Sequence, residues 1–502
     1  MIKPVNDIAL QTLQKASFTM ALPVHIKSKG SVIQCNELLR IVPGKRLVFS
    51  GLFLKKKMDK KTEQKVIIKL FVHSAKAKKH WQRECAGAKL LSDNNILTPK
   101  IVAQGVSDEG IYYLIFPYIE GQNLAQFWEK SSQIEREQKL KELLTVLAKH
   151  HSAGLAHQDV HYANFYLADA LATEKDSVYT LDGEEVKASR EPLNKKNRLK
   201  NLALFLAQTF DANQTVSCSL LKEYLSISAL ALEKKDYEQF WQWIKNFQQQ
   251  RITQYLKKMV RECTDVIYDE KISKHKKQAY SLCRREYHSP AIQQLLDQPE
   301  LFFQDDNAQY LKQGNTCTVK SVLVDNERYV MKRYNPKGIA YELKHKGQIS
   351  RARKSWLNAH LLRFMGILTP EPVALIEQQA ALGRRCSYFI CKFQPGQTSW
   401  DYFCEQEFTH RTQVAADKLI AVLKRLCDYK ITHGDLKGSN FLIYQEHVYL
   451  LDLDAMTQHK FAWQFNKSWQ RDKQRFLKNW DKKFCYKPCK LYFNHYYLDD
   501  SE

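Results

Sequence analysis

HQDVHYANFYL (157–167) and HGDLKGSNFLI (433–443) share one frame, H-x-D-x-x-x-x-N-F. Three more pairs of segments flank them in the same order. VIIKLF (66–71) matches YVMKRY (329–334), and each is a strand-like run carrying one central lysine. ILTPKIVAQG (96–105) matches ILTPEPVALI (367–376), and VYTLDGEEV (178–186) matches VYLLDLDAM (448–456). Four paired segments in one order indicate a tandem duplication, because solenoid repeats have far shorter periods. The spacing predicts two homologous domains with a boundary near Ser289–Pro290. The first covers 1–289, with a short N-terminal extension 1–38, and the second covers 290–502. A length of 502 residues agrees with more than one domain.

Each copy follows the same coarse plan. A strand-rich part ends in the lysine strand. A helix follows, HWQRECAGAKLLS (80–92) or ARKSWLNAHLLRFM (352–365). Two strands come next, including IYYLIFPYIEG (111–121) or SYFICKFQPGQ (387–397). A helix with apolar residues at helical spacing leads into the H-x-D loop: QKLKELLTVLAKHHSAG (138–154) or TQVAADKLIAVLKRLCDY (412–429). An apolar strand ending in Asp closes the pattern, giving an α+β fold class. The remainder of the first copy, from about Asn197 to Tyr287, reads as mostly helical.

Phosphoryl transfer from ATP asks for few groups. A lysine orients the α/β phosphates, oxygen ligands hold Mg²⁺ against them, and a carboxylate positions the attacking hydroxyl and takes its proton. The order Lys, then H-x-D-x-x-x-x-N, then Asp supplies these parts. In the first copy the set is Lys69, Glu84, Asp159, Asn164 and Asp182, with Glu84 placed to pair with Lys69 from the intervening helix. In the second it is Lys332, Asp435, Asn440 and Asp452. Aligning the helices puts Ser355 opposite Glu84, so the second copy lacks the helix acid. The retained acid makes the first copy the expected contributor to turnover, with the second close behind. His157 and His433 are expected to hold the loop backbone rather than to act in catalysis.

On these segments both halves resemble the protein-kinase-like superfamily, and specifically the bacterial lipopolysaccharide kinase family. Further family-like stretches are RIVPGKRLVFSG (40–51), Arg83–Glu84 and NLALFLAQ (201–208) in the first half. LKQGNTCTVKSVL (311–323) and RFLKNW (475–480) are those of the second. The resemblance implies two tandem bilobal kinase-like domains that use ATP and Mg²⁺ to phosphorylate inner-core heptose or Kdo. It implies a catalytic base at Asp159 and Asp435, metal ligands at Asn164, Asn440, Asp182 and Asp452, and an ATP clamp at Lys69 and Lys332. Neither half has the G-x-G-x-x-G loop of protein kinases, the metal motif reads DGE and DLD rather than DFG, and no A-P-E follows. Little chain separates Asp182 from the next helix, which favours a small hydroxyl acceptor over a displayed peptide. The residue two past the catalytic Asp is His161 in one copy and Lys437 in the other, so the sites have diverged. Competing readings are a protein or other small-molecule kinase, and a scaffold with one pseudokinase half.

The charge balance is 77 Lys+Arg against 54 Asp+Glu, a net +23, in an otherwise ordinary globular composition of 44% hydrophobic residues. Basic residues cluster at KKKMDKKTEQK (55–65) and along the C-terminal stretch from Gln458. The expected partners are the lipopolysaccharide core glycolipid and an anionic inner-membrane surface. Each cation near such a surface is worth about 1 kcal/mol. No nucleic acid is expected, since no binding motif accompanies the charge. In the tail, Trp469, Phe476 and Trp480 fall on one helical stripe. The stripe is expected to pack into the second domain, the competing reading being an interfacial helix fringed by Lys467, Arg471, Lys473, Arg475, Lys478, Lys482 and Lys483. The longest apolar runs, such as ALAL (229–232), are far short of the ~18 residues of a membrane span. The N-terminus lacks an apolar signal core, so a cytoplasmic, membrane-peripheral chain is expected. Twelve cysteines without a CxxC pair predict reduced thiols rather than a disulfide framework or zinc site.

Overall fold

A computed structural model describes residues 13–14, 20–57, 60–73, 75–169, 178–210, 215–272, 278–335, 349–379, 385–405, 409–480 and 492–493. The side chains of 55–62 and the tail residues Lys482, Lys483, Cys485 and Cys489 lie outside the described set. The chain divides into two compact units, Met1–Gln249 and Gln250–Glu502.

The first unit opens with a six-stranded antiparallel sheet. Its strands are β1 (Val24–Ser28), β2 (Ser31–Val42), β3 (Arg46–Lys57), β4 (Lys60–Phe71), β5 (Ala103–Val106) and β6 (Tyr112–Pro117), in the order β1-β2-β3-β4-β6-β5. Alternation sets the inner face: Leu47, Phe49 and Phe53 of β3 meet Val66, Ile68 and Leu70 of β4 in one buried cluster. Helix α1 (Ala77–Asp93) packs beside this sheet. The helical part is built on α2 (Gln133–Ser152), α3 (Lys195–Leu206) and α4 (Thr215–Ser228). Helix α2 starts with a reciprocal Ser132–Glu135 capping box. It buries Leu140, Leu143, Leu144 and Leu147, the i, i+3, i+4, i+7 stripe, against Leu202, Phe205 and Leu206 of α3.

Helix α5 (Lys234–Lys258) carries the division between the units. The helical expectation for 197–287 ends there. Val266–Ile272 (β7) and Gln278–Arg284 (β8) form an antiparallel hairpin, and β8 hydrogen-bonds onto the second unit's sheet. Charged residues at the middle of β7 hid its strand character. The division therefore precedes the expected boundary at Ser289–Pro290, because pairing across a sheet, invisible in a linear pattern, assigns the hairpin to the second unit.

That sheet adds β9 (Gln309–Gln313), β10 (Cys317–Val324), β11 (Glu327–Tyr334), β12 (Pro372–Gln379) and β13 (Arg385–Lys392) in the order β7-β8-β12-β13-β11-β10-β9. Five strands of each unit thus follow one order, β2-β3-β4-β6-β5 and β9-β10-β11-β13-β12. The additions sit on opposite edges, β1 beside β2 in one and the β7–β8 hairpin beside β12 in the other. Helix α6 (Arg351–Phe364) corresponds to α1, and α7 (His410–Asp428) to α2. The last long helix, α8 (Ala462–Asn479), corresponds to α3. Its aromatic stripe is core: Trp469, Phe476 and Trp480 are buried, and Phe476 packs edge-on against Phe441. Lys473 is buried as well. Lys467, Arg471, Arg475 and Lys478 face outward, as do Phe461 and Trp463, which are 51% and 67% exposed.

Candidate active sites

Strand β4 holds Lys69 between Val48 of β3 and Leu114 of β6. From α1, the buried Glu84 pairs directly with the Lys69 ammonium, as the sequence predicts. The approach of α1 depends on two glycines. A Cβ on Gly87 would meet the Gly183 carbonyl at 1.9 Å. The helix therefore touches the turn after the strand-end aspartate through backbone alone. Asp182 itself adopts the left-handed conformation, φ 60°, which turns its carboxylate back toward Lys69, 3.9 Å away. Burial alone would raise the Asp182 carboxyl, but Lys69 and Arg46 hold it well below the usual carboxylate range. Burial pushes Glu84 up, against the pull of Lys69.

The H-x-D loop is pinned by its own histidine. In the first unit His157 Nε2 donates to the Leu181 carbonyl at 3.1 Å, and Nδ1 accepts the Asp159 N–H at 3.2 Å. Asn164 Nδ2 donates to the Asp159 carbonyl at 2.7 Å, leaving Oδ1 as a ligand atom. In the second unit His433 bonds Leu451 and Asp435 likewise, at 2.8 and 3.3 Å. Asn440 Nδ2 reaches the Asp435 carbonyl at 2.8 Å. Both histidines are committed to backbone, in agreement with the positioning role expected of them. Asp159 is exposed, whereas the Asp435 carboxylate takes Lys437 Nζ at 2.7 Å and Arg475 Nη1 at 3.3 Å.

The second unit solves the missing helix acid differently. Ser355 is buried against the Tyr334 hydroxyl at 2.7 Å and does not touch Lys332. Lys332 pairs with Asp452 itself and lies 3.5 Å from Asp454. Arg351, one turn before Ser355, holds Asp454 at 2.7 Å. Asp452 is left-handed too, φ 60°, and Lys332 outweighs burial to keep its carboxyl at about 2. In place of the glycine pair, Asn358 Nδ2 donates to the Leu453 and Met456 carbonyls at 2.8 and 3.2 Å.

Sequence reasoning missed several site residues. Arg46, Glu184, Arg351 and Asp454 line the two clefts, and Asn201 and Asp472 support the loops from α3 and α8. A signal existed for some: each copy has an acid two residues past the strand-end aspartate, and a basic residue or histidine four before the Glu84/Ser355 position. In the first unit the support is a neutral relay. Tyr224 donates to His151 Nδ1 at 2.6 Å, His151 Nε2 donates to Asn201 Oδ1 at 3.0 Å, and Asn201 Nδ2 donates to the His157 carbonyl at 2.9 Å. Burial pulls the His151 imidazole down to about 4. The unfolded chain takes up this proton near 6.5 and the native one only near 4. Stability is therefore complete above pH 6.5 and is lost as pH falls toward 4, by about 3 kcal/mol for this group. Melting temperatures between pH 8 and 5 should fall for the wild type and fall less for His151→Gln. Equal slopes would remove His151 as the cause.

No family model matches this sequence, and no curated protein matches it. Solved structures do. WaaP in complex with acyl carrier protein aligns at 14% identity over 43% of this chain and 88% of that one, with a TM-score of 0.30. The PknI kinase domain of Mycobacterium tuberculosis aligns at 15% identity over 38% of this chain and 77% of that one, with a TM-score of 0.26. The chain is α+β, and in each of its units a lysine strand, a following helix, an Asp-x4-Asn loop and a strand-end aspartate are arranged as in the protein-kinase-like fold.

Proposed function

We propose that this protein is an ATP-dependent phosphotransferase that phosphorylates a sugar hydroxyl, heptose or Kdo, of the lipopolysaccharide core. The observation that carries this reading is the second unit's convergence of Lys332, Asp452, Asn440 and Asp435 on one cleft. Lys332 would orient the α/β phosphates. Asp452 and the Oδ1 of Asn440 fit a Mg²⁺ ion, which supplies charge neutralisation on the phosphates when bound. Asp435 would align the acceptor hydroxyl and take its proton, with Lys437 beside it to meet the charge on the transferred group. In the first unit Lys69, clamped by Glu84, would hold ATP, and Asp159 and Asn164 occupy the same loop positions.

A small acceptor is favoured by the connection after the metal-site aspartate. From Asp452 the chain passes through one 3-10 turn, Leu453–Ala455, and a two-residue strand, Thr457–Gln458, into α8 at Ala462. No platform for a peptide is built in so short a span. Mass spectrometry of core oligosaccharide from cells with and without the protein tests the substrate. Loss of one phosphate is expected. An unchanged core would turn the reading to a protein or another small-molecule acceptor.

A lipid-anchored acceptor brings the enzyme to a membrane. Among the described residues no helix is long and apolar enough to cross one. The exposed Phe461 and Trp463 instead sit at the start of α8, beside the outward Lys467, Arg471 and Lys478, a combination suited to anionic headgroups. The variant with Trp463→Ser, Lys467→Gln, Arg471→Gln and Lys478→Gln should leave anionic vesicles without losing melting temperature, and wild-type binding should weaken with salt. Wild-type protein that ignores such vesicles at low salt would refute the peripheral association.

A further inference from the structure

The two clefts differ most at the position a divalent cation would take. In the first unit Glu84, Asp182 and Glu184 bring carboxylate oxygens within 4.8 Å of one another, a spacing suited to a metal. A guanidinium already stands among them. Arg46 opens β3 and is only 7% exposed. Its Nη1 donates to Asp182 Oδ1 at 3.2 Å and its Nη2 to Oδ2 at 3.4 Å, so both oxygens face one fixed fork. The same Nη1 lies 3.6 Å from Glu84 and 3.7 Å from Glu184. Admitting Mg²⁺ to Asp182 would leave this buried guanidinium short of its main counter-charge, which is strongly unfavourable. The metal therefore does not fit the first unit as it fits the second.

Strand register shows that the arginine is particular to one copy. Arg46 faces Phe71 across the β3–β4 ladder, two residues past Lys69. Cys317 faces Tyr334 across the β10–β11 ladder, two past Lys332, and so occupies the equivalent place. Near Asp452 the corresponding extra cation is Lys312, 3.7 Å away and 61% exposed, a tether free to swing into solvent. After satisfying Asp182, Arg46 retains capacity: its buried Nε–H has no hydrogen-bond partner among the described residues.

We propose that Arg46 is a built-in replacement for the divalent cation in the first unit, so that this unit binds nucleoside triphosphate without metal while Mg²⁺ dependence belongs to the second. The inference rests on the reading that both clefts take ATP. A fixed guanidinium beside Lys69 offers the β- and γ-phosphates two cations with no metal to recruit. It also leaves the first cleft without the metal-held phosphate geometry that transfer requires, which casts it as the nucleotide-sensing member of the pair.

Calorimetry with a non-hydrolysable ATP analogue on the full chain decides the matter. In excess EDTA the wild type should bind one analogue per chain, and in Mg²⁺ two. Lys69→Ala should remove the EDTA-resistant event, and Lys332→Ala should not. Arg46→Gln should convert that event to a Mg²⁺-dependent one, and Arg46→Lys, which keeps a cation, should preserve it at reduced affinity. Binding in Mg²⁺ but none in EDTA overturns the proposal and leaves the phosphotransferase reading standing. EDTA-resistant binding that follows Lys332, or that is indifferent to Arg46→Gln, overturns it equally. Absence of nucleotide binding under both conditions overturns both.

Discussion

The double variant Asp159→Asn, Asp435→Asn is expected to fold like the wild type and to transfer phosphate at least about 100-fold more slowly, the usual worth of a positioned general base. Asparagine keeps the size of the side chain, and the contacts that shape each loop go to backbone atoms: His157 and Asn164 to the Asp159 peptide groups, His433 and Asn440 to those of Asp435. What the change removes is the carboxylate's proton affinity. The single variants divide the labour. The retained Glu84 favoured the first copy on sequence grounds, but Arg46 across Asp182 shifts the expectation, and Asp435→Asn alone should account for most of the loss. A double variant that works at the wild-type rate would show that neither loop carries the base.

Asp472→Ala is expected to destabilise the second unit by roughly 3 kcal/mol, the range for leaving buried partners of a charged acceptor unpaired. Asp472 lies on α8 and is 3% exposed. Its Oδ2 accepts the His433 N–H at 2.7 Å and the Gly434 N–H at 2.9 Å, fixing the two residues that precede the proposed base. Alanine strands both donors. Asp472→Asn retains an acceptor without the charge and should cost less. Urea denaturation reads the difference as a shift in midpoint. If Asp472→Ala matches the wild type within about 0.5 kcal/mol, the carboxylate does not hold the loop. The first unit uses neutral Asn201 at the same helical position, bonded to the His157 carbonyl rather than to amides, so Asn201→Ala should be the milder change.

The features legible in the sequence were those carried by local spacing. The H-x-D-x-x-x-x-N frame fixes a loop whose bonds run between near neighbours, and the lysine strand and the stripe Leu140–Leu143–Leu144–Leu147 follow from period 2 and period 3.6. The pairing of Lys69 with Glu84 followed from order alone. What stayed hidden depends on register between distant strands. Nothing near Arg46 announces that its guanidinium ends on Asp182, because the meeting requires β3, β4 and the left-handed turn at Asp182 together. The replacement of Glu84 by Ser355 was visible, but not that Lys332 would move its pairing to Asp452, nor that Arg351 would take Asp454. The β7–β8 hairpin was misread for the same reason: its strands are defined by the neighbour they pair with, not by their own alternation.

The glycine contact between α1 and the Asp182 turn has a consequence for how the two copies can drift. At Gly87 and Gly183 the fit is backbone to backbone, and any side chain at either position must push the helix away from the turn. Glu84 rides on that helix, one turn before Gly87, so a methyl group there would lengthen the reach from Glu84 to Lys69 without touching either residue. The first copy is thus inherited as an all-or-none unit at this point, closed to gradual change. The second copy spans the same junction with Asn358 and two hydrogen bonds, an arrangement in which residues of several sizes can be exchanged while the helix stays in place. A duplicated gene starts with equal freedom in both halves; here the geometry of one junction leaves most of the later freedom to the second.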